Sequence, residues 1–233
     1  MCRRERALSA APRRIGAPVP VRPGVGLEVP NEKVSLVSLR RVIESREFQE
    51  IDSRLAIALG EDVSGHPAAV DLAQMPHLLI AGATGSGKSV CINAIVCCLL
   101  FNNSPADLKM LMVDPKMVEL VGYNDIPHLV GPVVVDVEQV VGALSWVTRQ
   151  MDVRYKLFHQ AGVRNLEQYN LRAIRRKDEE PLPTLVVIVD ALADLMMVAP
   201  DEVERHITRL AQMGLPLIHI SEPTRLLSIS YPV

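Results

Sequence analysis

Gly82-Ala83-Thr84-Gly85-Ser86-Gly87-Lys88-Ser89 fits the pattern GxxxxGK[ST] in full. Each residue type in that pattern has a task. The glycines let the chain turn so that backbone N–H groups point inward around phosphate oxygens. The helix that follows offers the positive end of its dipole to the same anion. Lys88 is placed to reach the β- and γ-phosphates of ATP, and the Ser89 hydroxyl is a ligand for Mg²⁺. About a hundred residues downstream, Leu185-Val186-Val187-Ile188-Val189 runs into Asp190. A carboxylate at the carboxyl end of a buried strand lies on the ligand side of an open α/β sheet, where it can hold the water shell of Mg²⁺. Strands often end in Asp, so Asp190 gains its meaning from the loop upstream. Asp114, closing the apolar run 108–113, is open to two readings: Asp114-Pro115 starts a turn, or the carboxylate faces the nucleotide. The residues alone do not choose.

These groups need a scaffold, and the chain spells one. His77-Leu78-Leu79-Ile80-Ala81 reads as a short buried strand feeding the glycine loop, and a helix is expected from Gly87 to about Phe101. Leu108 to Val113 and Leu185 to Val189 read as two further buried strands. Val140, Leu144, Val147, Met151, Tyr155 and Phe158 recur every three or four residues and mark a long amphipathic helix ending near Ala161-Gly162. Arg172 to Glu180 is charge-dense and reads as a solvated helix end and loop. Strands apolar throughout and alternating with helices predict a mostly parallel sheet with helices on both faces.

Upstream, Leu36, Leu39, Val42 and Ile43 suggest one amphipathic helix over 34–48. Two short apolar runs around the polar turn Gly60 to Gly65 suggest a β-hairpin. Residues 28–74 are therefore expected to form a small helix-and-hairpin module against a core spanning 75–213. Residues 1–27, rich in Arg and Pro, read as a disordered linker.

Composition narrows the function. The chain has 233 residues, 48% hydrophobic and 22% charged, which is globular; only 3% are aromatic, so the core must be aliphatic. A formal charge of -2 argues against a monomer that coats nucleic acid with a broad basic face, but not against a ring that grips it through a few loops. Cys2, Cys91, Cys97 and Cys98 have no metal-binding spacing, and a reducing, cytoplasmic setting is expected. The longest apolar run, 94–101, is far below the ~20 residues that span a bilayer. A small-molecule P-loop kinase would need a lid and a substrate-phosphate clamp, and neither is readable.

Several stretches together resemble the FtsK/SpoIIIE family: Gly26-Leu27-Glu28-Val29-Pro30-Asn31, Met75 to Gly82 running into the glycine loop, and Val113-Asp114-Pro115-Lys116-Met117. Gly162-Val163-Arg164-Asn165-Leu166 and Ala193-Asp194-Leu195-Met196-Met197 complete the set. The resemblance covers about 24–213. It implies a RecA-like ATPase that assembles as a homo-hexameric ring and pumps double-stranded DNA in chromosome segregation at division or sporulation. It also implies a cytoplasmic motor anchored through a membrane region, and a winged-helix domain beyond the motor, neither of which this chain matches. Carried over by position, Gly82 to Ser89 bind nucleotide, Asp190 supports Mg²⁺, and Asp114 and Lys116 lie near the nucleotide.

The chain departs from the family twice. Where the family has Asp-Glu after the third strand, with the Glu polarising the attacking water, this chain has Ala191. A methyl group neither accepts a proton nor orients water, so ATP is expected to bind but to turn over poorly unless a carboxylate such as Asp194 substitutes. From about 214 the chain leaves the family pattern. Leu217-Ile218-His219-Ile220-Ser221-Glu222-Pro223-Thr224-Arg225 resembles the translation of an adapter used in transposase-based sequencing libraries. Residues 214–233 are therefore expected to be non-native, leaving the ATPase core incomplete at its C-terminus with an exposed sheet edge.

Overall fold

The structure, a computed structural model, describes residues 14–16, 26–28, 36–62, 64–75, 77–83, 85–176 and 179–214. The chain divides into two compact units, Met1–Val37 and Ser38–Val233. Within the first, in the stretch read as a linker, β1 (Arg14–Gly16) and β2 (Gly26–Glu28) pair antiparallel, Ile15 opposite Leu27. The adapter-like tail lies outside the described residues from 215 onward.

The second unit opens with two short helices, α1 (Leu39–Ile43) and α2 (Arg46–Gln49), where the periodicity predicts one. Val42 and Phe48 are both buried. Six residues apart, they would face different sides of a continuous helix, so the axis must break to bury both. Ser45 makes the break by accepting the Phe48 N–H at 3.3 Å as a new N-cap. The expected hairpin follows as β3 (Ala56–Glu61) and β4 (Pro67–Asp71), antiparallel, with a register shift between Ala58 and Gly60. Its turn closes on Asp62, whose Oδ1 accepts the N–H of Ser64 and of His66 at 2.8 and 2.9 Å.

The remaining elements are α3 (Lys88–Asn102), β5 (Leu108–Val113), α4 (Val137–Ala161), α5 (Leu166–Arg176), β6 (Thr184–Val189), α6 (Leu192–Val198) and α7 (Pro200–Gly214). Strands β5 and β6 run parallel in register, Leu108 beside Thr184 through Val113 beside Val189. Single parallel bridges, Met110 to Leu129 and Val113 to Val134, continue the sheet beyond β5.

Alternation along these strands sorts the core into two layers. Leu108, Met110 and Met112 of β5, with Val186 and Ile188 of β6, pack into one cluster with Ile92, Val96 and Leu99 of α3 and Ile57 of β3. Leu111 and Val113, with Leu185, Val187 and Val189, face the other way onto Val140, Leu144 and Val147 of α4, Leu195 of α6 and Val203 of α7. The result is the expected α/β architecture, a parallel sheet with helices on both faces. The hairpin packs against this core, its Ile57 sharing one cluster with the α3 side chains. Because α3 lies between hairpin and sheet, its sequence is apolar nearly all round rather than amphipathic.

Two expectations about strands are corrected. Residues 77–81 form no ladder, and Leu79 is 80% exposed. Only Ile80 packs on the first cluster. A run of apolar residues becomes a buried strand only where a neighbouring strand can take its N–H and C=O groups, and no described residue does so here. Strand β6, read as buried, is half-buried along its whole length, because among the described residues it pairs on one side only. No helix among the described residues is long and apolar enough to cross a membrane.

Candidate nucleotide site

The glycine loop runs from the extended segment 77–81 into the first turn of α3. Gly85 and Gly87 sit at φ of 82° and 91°, in the left-handed region that a side chain disfavours, and Gly87 caps α3. Ser86 folds back to donate its N–H to the Ala83 carbonyl at 3.0 Å. This brings Ser86 so close to Gly82 that a Cβ there would lie 2.1 Å from its Oγ. Backbone geometry thus favours glycine at 85 and 87, while a side chain at 82 would have to displace the Ser86 hydroxyl. Thr84 lies outside the described residues.

Lys88, the first residue of α3, extends its ammonium to Asp190 Oδ1. The Asp190 side chain is 3% exposed and that of Lys88 31%. A buried carboxylate without a partner is strongly unfavourable, and Lys88 supplies that partner. The Asp190 N–H bonds the Val113 carbonyl at 2.9 Å, which fixes the end of β6 against the end of β5. The two motifs, a hundred residues apart in sequence, therefore meet at the carboxyl end of the sheet.

Ser89 donates its hydroxyl to Glu119 Oε1. Sequence reasoning missed Glu119, because a Glu in a loop after a strand looks like any solvated acid. Its position is set by Asp114, which is fully buried and accepts the N–H of Glu119 and of Leu120 at Oδ2, both at 2.9 Å. Asp114 therefore does open a turn, and the product of that turn is a carboxylate over Ser89. Lys116, on the same turn, forms an ion pair with Asp194 of α6 at 2.7 Å. The hydrogen bond to Asp194, and then its charge, raise the lysine above its ordinary pKa. Asp194, the carboxylate expected to stand in for a base at position 191, is thus paired with Lys116 in this structure. Ala191 is the N-cap of α6, at φ 53° and ψ 41°.

The donors gathered here are a hydroxyl, two carboxylates and an ammonium. Hard oxygen donors of this kind suit Mg²⁺, which binds through one or two carboxylates plus substrate phosphates and waters. Among the described residues, no group of three or more His, Cys, Asp or Glu converges on one point.

Comparison with known proteins agrees with this architecture. The FtsK/SpoIIIE family model matches residues 38–222. A DNA translocase FtsK of Caldanaerobacter subterraneus subsp. tengcongensis is 53% identical over 208 residues, which are 89% of this chain and 29% of that protein. The DNA translocase SpoIIIE of Bacillus subtilis is 51% identical over 213 residues, 89% of this chain and 27% of that protein. Among solved structures, the conjugation coupling protein TcpA of pCW3, in its monomer form with ATPγS, superposes with a TM-score of 0.54 at 29% identity. That match covers 74% of this chain and 46% of TcpA. This chain thus spans under a third of the translocases it matches, and its glycine loop, parallel sheet and flanking helices are a RecA-like P-loop core. The chain belongs to the FtsK/SpoIIIE family.

Proposed function

We propose that this chain is the ATP-binding part of a motor that moves double-stranded DNA, working as a homo-hexameric ring tethered to the cell membrane by other parts of the protein. The observation that carries the nucleotide site is the meeting of Lys88 with Asp190, which joins the phosphate loop to the end of β6. Gly82 to Ser89 would enclose the phosphates, Lys88 would transfer from Asp190 to the phosphate oxygens, and Ser89 and Asp190 would hold Mg²⁺. Bound there, the cation supplies charge neutralisation for phosphoryl transfer. DNA as the substrate rests on the relatives, which are named DNA translocases.

The test is ATP turnover by the intact protein with and without linear double-stranded DNA. Stimulation by DNA supports the motor, whereas stimulation by a small phosphate acceptor alone would replace it with a kinase. Ala191 favours a second reading, a ring member that binds nucleotide without hydrolysing it. Tight ATP binding with no turnover, with or without DNA, would select that reading. Residues 214–233 are proposed to be adapter-derived, against a family match that runs on to residue 222; resequencing of the gene beyond codon 213 would decide between the two.

A further inference from the structure

We infer that Glu119 is a positioning residue for the metal of the nucleotide site, a third oxygen side chain beside Ser89 and Asp190; the inference rests on the nucleotide reading above. Three observations carry it. The Ser89 hydroxyl gives its proton to Glu119 Oε1. With the proton engaged, the lone pairs of Oγ are turned away from Glu119 and left free for a cation.

Asp190, the other carboxylate of the site, is engaged by Lys88. The two carboxylates therefore divide the loop between them, one on the lysine and one on the hydroxyl.

The third observation is that Glu119 is held in place rather than floating. Its own N–H and that of Leu120 both bond Asp114 Oδ2, and Asp114 and Leu120 are fully buried. Among the described residues Oδ1 of Asp114 has no hydrogen-bond partner, so the buried carboxylate shapes this turn through one oxygen only. The two loop N–H groups bonded to this buried side chain hold the backbone of Glu119 in one place. Partners that orient a metal ligand in this manner change metal affinity by about 10- to 100-fold when removed.

The sign of the effect separates this role from a structural one. A carboxylate beside the phosphates repels metal-free ATP and helps only when a cation stands between them. Isothermal titration of the intact protein with ATP, once in Mg²⁺ and once in EDTA, reads both terms. For Glu119→Gln, which keeps the shape and an acceptor oxygen, binding in Mg²⁺ should weaken about 10-fold, while binding in EDTA stays the same or tightens. Mn²⁺ paramagnetic resonance on the ATP complex should show the same loss of bound cation. Glu119→Asp, which keeps the charge but retracts it by one methylene, should fall between. Equal weakening in both buffers, or no change in either, overturns the inference and leaves the nucleotide site standing. Failure of the unmodified protein to bind ATP in either buffer overturns both.

Discussion

At the residue scale, the Lys88–Asp190 pair binds a stability question to a functional one. Asp190 is nearly inaccessible to water, so removing its partner strands a buried charge. Lys88→Ala should therefore destabilise the protein by about 1–3 kcal/mol, more than an exposed lysine would. Asp190→Asn in the same chain should return most of that loss without restoring ATP binding. Urea unfolding of the two single variants and the double variant, alongside ATP titration, measures both; additive losses would mean that the pair does not couple. Ala191 carries the next prediction. Its left-handed backbone is as unfavourable for Ala as for other side chains, so Ala191→Glu exchanges a methyl for a carboxylate at little extra strain. DNA-dependent ATP turnover should rise by about 10²- to 10⁴-fold with ATP affinity unchanged. No rise would show that another group already serves the water. Much of this site was written in the sequence, because the glycine loop is a local pattern and Asp190 follows an apolar run. Glu119 was not, since its role depends on Asp114 folding the turn back over α3.

Elements were readable where a periodicity belongs to one environment. The even spacing of α4 and the apolar runs of β5 and β6 gave their spans closely, whereas the split between α1 and α2 turns on a competition that periodicity does not see. Helix α7 was outside the sequence reading, and its packing on α4 is partly polar. Thr148 gives its hydroxyl proton to the Leu144 carbonyl at 2.8 Å, so its oxygen accepts from His206 Nδ1 at 3.2 Å. Arg209 Nη2 donates to both carboxylate oxygens of Asp152 at 2.9 and 2.7 Å. Burial, then the charges of Arg205 and Arg209, push the His206 pKa below its ordinary 6.5, with Glu202 opposing them. Lowered in the folded state, this histidine binds its proton more readily when unfolded. Its contribution is therefore complete above about pH 6.5 and is lost as pH falls from there through the lowered folded value. The Tm of the protein should drop between pH 7.5 and pH 5, and His206→Asn should make that drop shallower. An identical pH profile in the variant would remove His206 from the account.

For the molecule as a whole, the two core clusters stabilise different things. Strand β5 is sealed on both faces and paired on both edges, by β6 on one side and by the Leu129 and Val134 bridges on the other. The extended segment 77–81, by contrast, has no ladder partner among the described residues and packs on the first cluster through Ile80. The apolar run there predicted a buried strand because sequence records what a segment can bury, not whether a partner strand is beside it. This difference sets a gradient of local stability through the site, since the glycine loop hangs between this weakly held segment and the well-packed α3. Hydrogen exchange should therefore find the amides of 109–113 among the slowest in the chain and those of 78–81 among the fastest. ATP binding should then slow the amides of 82–89 more than any other stretch, because they are the groups that would close on the phosphates. If 78–81 instead exchanges as slowly as β5 before nucleotide is added, a partner strand is present in solution and the glycine loop is braced from both ends. In that case nucleotide would find its loop already formed, and the protection gained at 82–89 should shrink accordingly.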